Sequence, residues 1–343
     1  MQWFPLCKQA RAETGDRMLV FRARQLIRIF FTGAVAAVVV AGAVQAGEAG
    51  PLKNLYHPEQ VSAHVYVIHG PTETPNPANQ GFMNNPGFVL TEEGVVVIDP
   101  GSSVQIGRMV VAQIETVTDM PIVATIATHI HGDHWLANQA ILERYPEAKM
   151  YAHPDLIERA RSGEADAWLD LLMRLTDGAT EGTVAMIPDL PLEDGDILKF
   201  GEIEFSIHHR GQAHTHSDIA LVMQPDNIMF TGDLVTNERL GRMDEGHFSG
   251  LVETLDYLSS IAPDVVVPGH GQTGNVSIIE DSRRLHHLIY QTIKQKFDEG
   301  LSDFEIKPFV VEQLDGFRTW TGFDDGIGRM ISQGYLEVEE DSF

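Results

Sequence analysis

Residues 128–135 read T-H-I-H-G-D-H-W, from Thr128 to Trp135. They follow Ile122–Ala127, an apolar run of a length that suits a short buried strand. His129, His131, Asp133 and His134 thus bring imidazoles and a carboxylate to one strand end. Such groups, if buried, need partners for their lone pairs. A borderline ion such as zinc accepts donors of both kinds. Alternate residues diverge on an irregular loop, so His129 and His131 can face one ion while Asp133 and His134 face a second.

A tetrahedral zinc takes four donors, and a catalytic one keeps a position for water. Further donors are therefore expected at other strand ends. His214 follows the strand read at Glu202–His208, in G-Q-A-H-T. Asp233 comes at the end of Ile228–Thr231 in F-T-G-D, and His270 at the end of Val265–Val267 in P-G-H-G. Where strand ends form one rim, residues distant in sequence converge.

On H-x-H-x-D-H, G-x-x-H-T, T-G-D and P-G-H, in this order and each after a strand, the chain resembles the metallo-β-lactamase superfamily. The resemblance runs from about Val61 to Asn275. It implies an α/β fold, an αββα sandwich with a dinuclear site at one edge. It also implies His129, His131 and His214 as ligands of a first metal, Asp133, His134 and His270 as ligands of a second, and Asp233 as the bridging carboxylate. Class B β-lactamases carry cysteine or another residue where Asp233 stands. The ligand set here resembles that of glyoxalase II, lactonases and related hydrolases.

The implied cofactors are two zinc ions, with iron or manganese as alternatives. The implied chemistry is attack of a metal-bridging hydroxide on an ester, thioester, lactone or amide, with Asp133 holding and orienting the nucleophile. Two other readings stay open, because a fold does not fix a reaction. One is an iron-dependent oxidoreductase like the persulfide dioxygenases of this fold. The other is a metal-loaded accessory or binding protein of a periplasmic oxidation pathway. The insertion at 164–190, the P-G-H-G strand end and the C-terminal segment are further similar to exported zinc metallohydrolases associated with periplasmic quinoprotein oxidation systems.

Outward from the motifs, strands and helices interleave, which indicates an α/β sandwich. Val61–His69 alternates like a strand, and Gly87–Thr91 with Val95–Asp99 flank Glu92-Glu93-Gly94 as a hairpin. Ser102 or Ser103 can cap a helix with apolar positions Ile106, Met109, Val110, Ile114 and Val117. A helix is expected at Trp135–Tyr145, a strand at Lys149–Ala152, and a helix from Pro154. Residues 164–176 read as an inserted amphipathic helix whose Trp168, Leu171, Leu172 and Leu175 must cover something. Residues 47–275 form the expected main domain. Residues 276–343 form a helical extension packed on it, anchored by Phe317, Trp320 and Phe323.

Substrate contacts are expected near the metals. The turn-rich loop Thr72–Pro86 overhangs the site in the related family, which makes Phe82 and Met83 candidates. Asn237, Arg239 and Arg242 follow Asp233 on a loop, where the arginines could orient a substrate carboxylate or pair with Asp244 and Glu245. His247, in G-H-F-S-G, could face the pocket. His216 competes with His214, but the G-x-x-H-T frame selects His214.

The chain has 343 residues, 24 Lys+Arg against 49 Asp+Glu, and a net charge of −25. Such a surface repels nucleic acid and anionic lipid, leaving a small molecule as the expected partner. Arg22, Arg24 and Arg28 precede an uncharged Ala- and Val-rich stretch, Ile29–Ala46, that closes on Val44-Gln45-Ala46. Residues 1–46 therefore read as a cleaved export signal, with Met18 as an alternative start and an uncleaved membrane anchor as the other reading of the same stretch. The mature protein is then expected in the periplasm or outside the cell, with no stable membrane insertion. Cleavage would remove Cys7, the only cysteine, and leave neither a disulfide nor a thiolate ligand.

Overall fold

The hairpin at Glu92-Glu93-Gly94 lies in the middle of the first sheet. The computed structural model describes residues 49–342, and the export signal read at residues 1–46 lies outside them. The first sheet holds β1 (Glu59–Gln60), β2 (Val65–Val67), β3 (Gly87–Leu90), β4 (Val95–Ile98), β5 (Ile122–Ala127), β6 (Lys149–Ala152) and β7 (Leu190–Pro191), neighbours in chain order. Its first four strands pair antiparallel, and β4 through β7 pair parallel. The second sheet holds β8 (Ile197–Phe200), β9 (Ile203–His208), β10 (Ala220–Gln224), β11 (Ile228–Thr236) and β12 (Val265–His270). Its order is β12-β11-β10-β9-β8, antiparallel except for the parallel β11–β12 pair.

Period-two patterning puts the core between the sheets. In β9, Ile203, Phe205 and Ile207 are buried while Glu204, Ser206 and His208 are partly exposed. The inward set packs with Val96, Ile98, Ile126, Leu221 and Phe230. β4 is buried on both faces, and its outward Val95 and Val97 lie under α1 (Val104–Val117). The α1 stripe of Ile106, Met109, Val110 and Ile114 covers that face. Each fully buried aliphatic contributes roughly 1.5–3 kcal/mol. Ser103 caps α1, accepting from Ile106 N at 3.3 Å, while Ser102 Oγ donates to Gly81 O at 2.8 Å.

The helix expected at Trp135–Tyr145 is two pieces, α2 (Gly132–Trp135) and α3 (Asn138–Arg144). The break has a visible cause. Ala137 N donates to Gly101 O at 2.9 Å rather than to its own helix. α4 (Pro154–Arg159) then runs through a π-helical turn, Ala160–Glu164, into α5 (Ala165–Leu175). Gly163 takes φ 112° in that turn, a conformation open to glycine.

The other outer layer is α6 (Phe248–Ser260), α7 (Val276–Asp298), α8 (Asp303–Gln313) and α9 (Phe323–Glu340). Leu251, Leu255, Ile279, Leu285, Phe317 and Phe323 join Met229 and Val266 of the second sheet in one apolar cluster. The described residues form a single compact unit by their contacts. Among the described residues no helix is long and apolar enough to cross a membrane.

Candidate metal centre

The end of β5 with the turn into α2, the interior of β11, the end of β12 and the loop after β9 deliver the motif residues to one place. One ligand atom each of His129, His131, His214 and Asp233 lies within 4.8 Å of the others, and Asp133, His134 and His270 form a second such group. Asp233 joins the groups. Its Oδ1 is 3.4 Å from His134 Nε2 and 3.3 Å from His270 Nε2, while Oδ2 is 3.6 Å from His214 Nε2. Asp133 Oδ2 lies 3.4 Å from His134 Nε2 and 3.3 Å from His270 Nε2. His214 is buried and faces His131 Nδ1 at 3.0 Å, whereas His216 is exposed.

Buried polar atoms are normally hydrogen-bonded. Here His129 Nε2, His134 Nε2 and Asp233 Oδ1 are buried with no hydrogen-bond partner. All three point into the cluster, so the residues present fit a pair of cations. The far sides of the rings are tied down in the way that orients metal-binding histidines. His134 Nδ1 donates to Asp99 Oδ2 at 2.8 Å, and the same carboxylate accepts from Thr128 N and Oγ1, each at 2.8 Å. His131 Nε2 donates to Glu245 Oε1 at 3.3 Å, and Arg159 holds Glu245 Oε2 at 2.6 Å. His270 Nδ1 donates to Met83 O at 2.7 Å. Asp99 was missing from the sequence reading, although V-V-V-I-D ends an all-apolar strand on an acid.

Two motif glycines are required by close approach. A Cβ on Gly232 would meet Thr128 Oγ1 at 2.3 Å, and one on Gly269 would meet Asp233 Oδ1 at 2.0 Å. T-G-D therefore carries glycine where β11 meets Thr128 after β5, and P-G-H where β12 meets Asp233 of β11. β11 and β12 also run further than their apolar stretches, to Thr236 and His270, with register shifts around Gly232.

Electrostatics keeps the donors available. Burial, then the neighbouring His134, lowers His129 well below the usual imidazole range, and burial with His131 pushes His214 down to about 3. Both rings are neutral and can offer a lone pair. Burial opposes ionisation of Asp133, but His134 and His270 outweigh it, and its carboxyl sits well below the usual range. Burial likewise opposes ionisation of Asp233, and His270 with His134 outweighs it. His134 is raised against the effect of burial by Asp133, Asp99 and Asp233, a ring of carboxylates that calls for positive charge.

A cavity of about 160 Å³ opens onto His131, Asp133, Asp233 and His270. Trp168, Leu171 and Leu175 of α5 wall it, and the Trp168 ring lies 4.8 Å from that of His131. Met83 and Arg239 also line it. Phe82 does not. It is fully buried against Tyr56 in the cluster under α1, because the loop turns that ring inward and Met83 toward the metals. Asn237 is no pocket residue either, since its side chain donates to Gln272 O at 2.9 Å. His247 caps α6 by accepting from Gly250 N, and it too stands outside the cavity. The expected pairing of the arginines holds for Arg242, whose partner is Asp244, but not for Arg239, because Arg159 and His131 already occupy Glu245.

The profile of the metallo-beta-lactamase superfamily matches residues 79–270. This chain belongs to that superfamily. A probable metallo-hydrolase of Streptococcus pyogenes is 24% identical over 215 residues, 59% of this chain and 85% of the relative. A hydroxyacylglutathione hydrolase of Prochlorococcus marinus is 25% identical over 226 residues, 60% and 74% of the two chains. A solved metallo-β-lactamase from Pontibacter korlensis superposes with a TM-score of 0.54 at 19% identity, over 68% of this chain and 99% of its own. That likeness shows the fold. As a member of the metallo-β-lactamase superfamily, which usually binds two metals, the chain is an enzyme whose general chemistry is hydrolysis.

Proposed function

We propose that the enzyme is a two-zinc hydrolase of an ester, thioester, lactone or amide bond. The observation that carries this is the position of Asp233, with one oxygen toward each group of donors. Every donor is an imidazole nitrogen or a carboxylate oxygen, a set that suits zinc. Two bound zinc ions would supply hydroxide at neutral pH and polarise the carbonyl oxygen under attack. Asp133 lines the cavity as an ionised carboxylate and is placed to accept a hydrogen bond from the attacking water and fix its direction. Trp168, Leu171 and Leu175 keep bulk water from one side of the reacting bond.

The test is a screen of zinc-loaded protein against thioesters, lactones, aryl esters, β-lactams and phosphodiesters, with metal content measured by mass spectrometry. Turnover of a carbonyl substrate with about two zinc ions per chain is the expected result. Iron as the bound metal, or no turnover of any carbonyl substrate, overturns the reading. We also propose export with cleavage after Ala46, supported by the basic, apolar and small-residue succession of residues 22–46. N-terminal sequencing of periplasmic protein should begin at Gly47, and a full-length form held in the membrane would overturn it.

A further inference from the structure

The two histidines of the second donor group are held in different ways. His134 Nδ1 donates to a side chain, the Asp99 carboxylate, at 2.8 Å. His270 Nδ1 donates to a backbone oxygen, Met83 O, at 2.7 Å. The place of His270 therefore depends on how the main chain around it is fixed. β12 ends on His270, its ladder with β11 ends there too, and Gly271 turns away with φ 86°.

Asn85 grips the chain at this point. Its Nδ2 donates to Pro268 O at 2.9 Å and to Gly271 O at 2.7 Å, and its backbone N donates to Gly269 O at 2.9 Å. These carbonyls flank His270 on both sides. The one between them, His270 O, accepts from Asn237 N at 3.0 Å. Asn85 is itself fixed, since it is 4% exposed and its Oδ1 accepts from Gly70 N at 3.3 Å. The chain presses close there, and a Cβ on Gly70 would meet Asn84 O at 2.5 Å. One short segment, Met83–Asn85, thus receives the Nδ1 proton of His270 and clasps the backbone that carries the ring. The chemistry asks for an amide. Two N–H donors on one nitrogen bridge two carbonyls, a carboxylate would face both with lone pairs, and an aliphatic residue would leave them unpaired.

We propose that Asn85 is a positioning residue for the second metal, setting His270 where it meets Asp133 and His134 on one cation. This rests on the two-metal reading above and adds the residue that governs occupancy of one site. The effect should be selective, because His129, His131 and His214 stand on other segments, the turn after β5 and the loop after β9. Cobalt(II) titration of the metal-free full chain tests it, followed by native mass spectrometry and visible absorption. The unaltered chain should take up two ions. In Asn85→Ala the second ion should bind about tenfold more weakly or worse, the loss that follows when the outer contacts of a ligand are removed. The first ion should bind within about twofold of its original affinity. Asn85→Ser keeps one donor on a shorter side chain and should lie between. Ile306→Ala, in the apolar cluster under α8, should lower stability and leave both affinities as they were.

If Asn85→Ala holds the second ion as tightly as the unaltered chain, the proposal is overturned. Asn85→Ser takes its place in that comparison should the alanine variant fail to fold. Equal weakening of both ions, or a matching loss in Ile306→Ala, overturns it as well and leaves Asn85 a contributor to the fold alone. An unaltered chain that binds a single cobalt ion refutes the two-metal reading itself, and the role of Asn85 with it.

Discussion

Asp233 is the residue on which the two-metal reading turns. Without it each group keeps three protein donors: His129, His131 and His214 on one side, Asp133, His134 and His270 on the other. A carboxylate between two cations adds a donor to both and offsets part of their repulsion. Asp233→Ala should therefore lower metal stoichiometry, more at the group of Asp133, and turnover should fall by orders of magnitude. The fold should persist, since a carboxylate contributes little apolar burial. Mass spectrometry of the native protein and far-UV circular dichroism check this together. Two tightly held metals with near-normal turnover would remove Asp233 from the bridge. At this scale the convergence of the motif residues was legible, because each stands at the end of an apolar run in a spacing that core packing does not ask for. Asp99 and Glu245 were not, because their partners, His134 and His131, lie 35 and 114 residues away. Phe82 was misplaced for a related reason. Nothing in G-F-M-N tells which of two apolar neighbours turns into the core.

At the scale of the element, α5 carries two faces with different duties. Trp168, Leu171 and Leu175 line the metal cavity, while Leu172 and Ala165 are buried with Trp135, Leu136 and Leu156. The three- and four-residue spacing announced a covering helix, but a helix that both walls the site and closes a core cannot be told from one that only does the first. Removal of the whole segment would therefore open the core. Leu172→Ala alone should cost about 2–5 kcal/mol. Trp168→Ala tests the wall of the pocket most directly. It should leave two metals per chain and lower stability, because the indole also packs against the cluster of Trp135 and Leu136, while KM shifts several-fold as one wall of the pocket recedes. Loss of metal from this variant would instead make the indole part of the seat of His131, against which it packs. The π-helical turn that launches α5 left little trace in the sequence beyond Gly163, since its φ of 112° is a demand of the backbone path and not of apolar pattern.

At the scale of the whole molecule, the C-terminal helices are structural partners of the sandwich, and their joints are polar as well as apolar. Glu337 of α9 accepts from Phe248 N at 2.5 Å and Ser249 N at 3.0 Å, so a carboxylate closes the start of α6 where the helix dipole favours it. Leu240 N and Thr321 N bond to Thr321 O and Glu238 O, each at 2.9 Å, which stitches the loop of Arg239 to the extension. α7 supplies a measurable reporter of this joint. His286 is 4% exposed, lies beside Phe248, and donates from Nδ1 to Ser282 O at 2.7 Å. Burial pushes its pKa down to about 4, below the 6.5 of a free imidazole. The folded protein thus holds a neutral ring where the unfolded chain takes a proton. Stability from this group is complete above pH 6.5, falls as the pH drops below that value, and is gone once the pH has passed through 4. The difference corresponds to about 3 kcal/mol. Urea unfolding of the metal-free protein in chelator, from pH 7 to pH 4, should show that extra loss relative to His286→Leu, in which no proton can bind. Metal release then affects neither protein, and the shared carboxylates cancel between them. Parallel stability curves for the two proteins across this window would mean that His286 is hydrated or charged in the fold, and that the joint between α7 and α6 is looser than its packing implies.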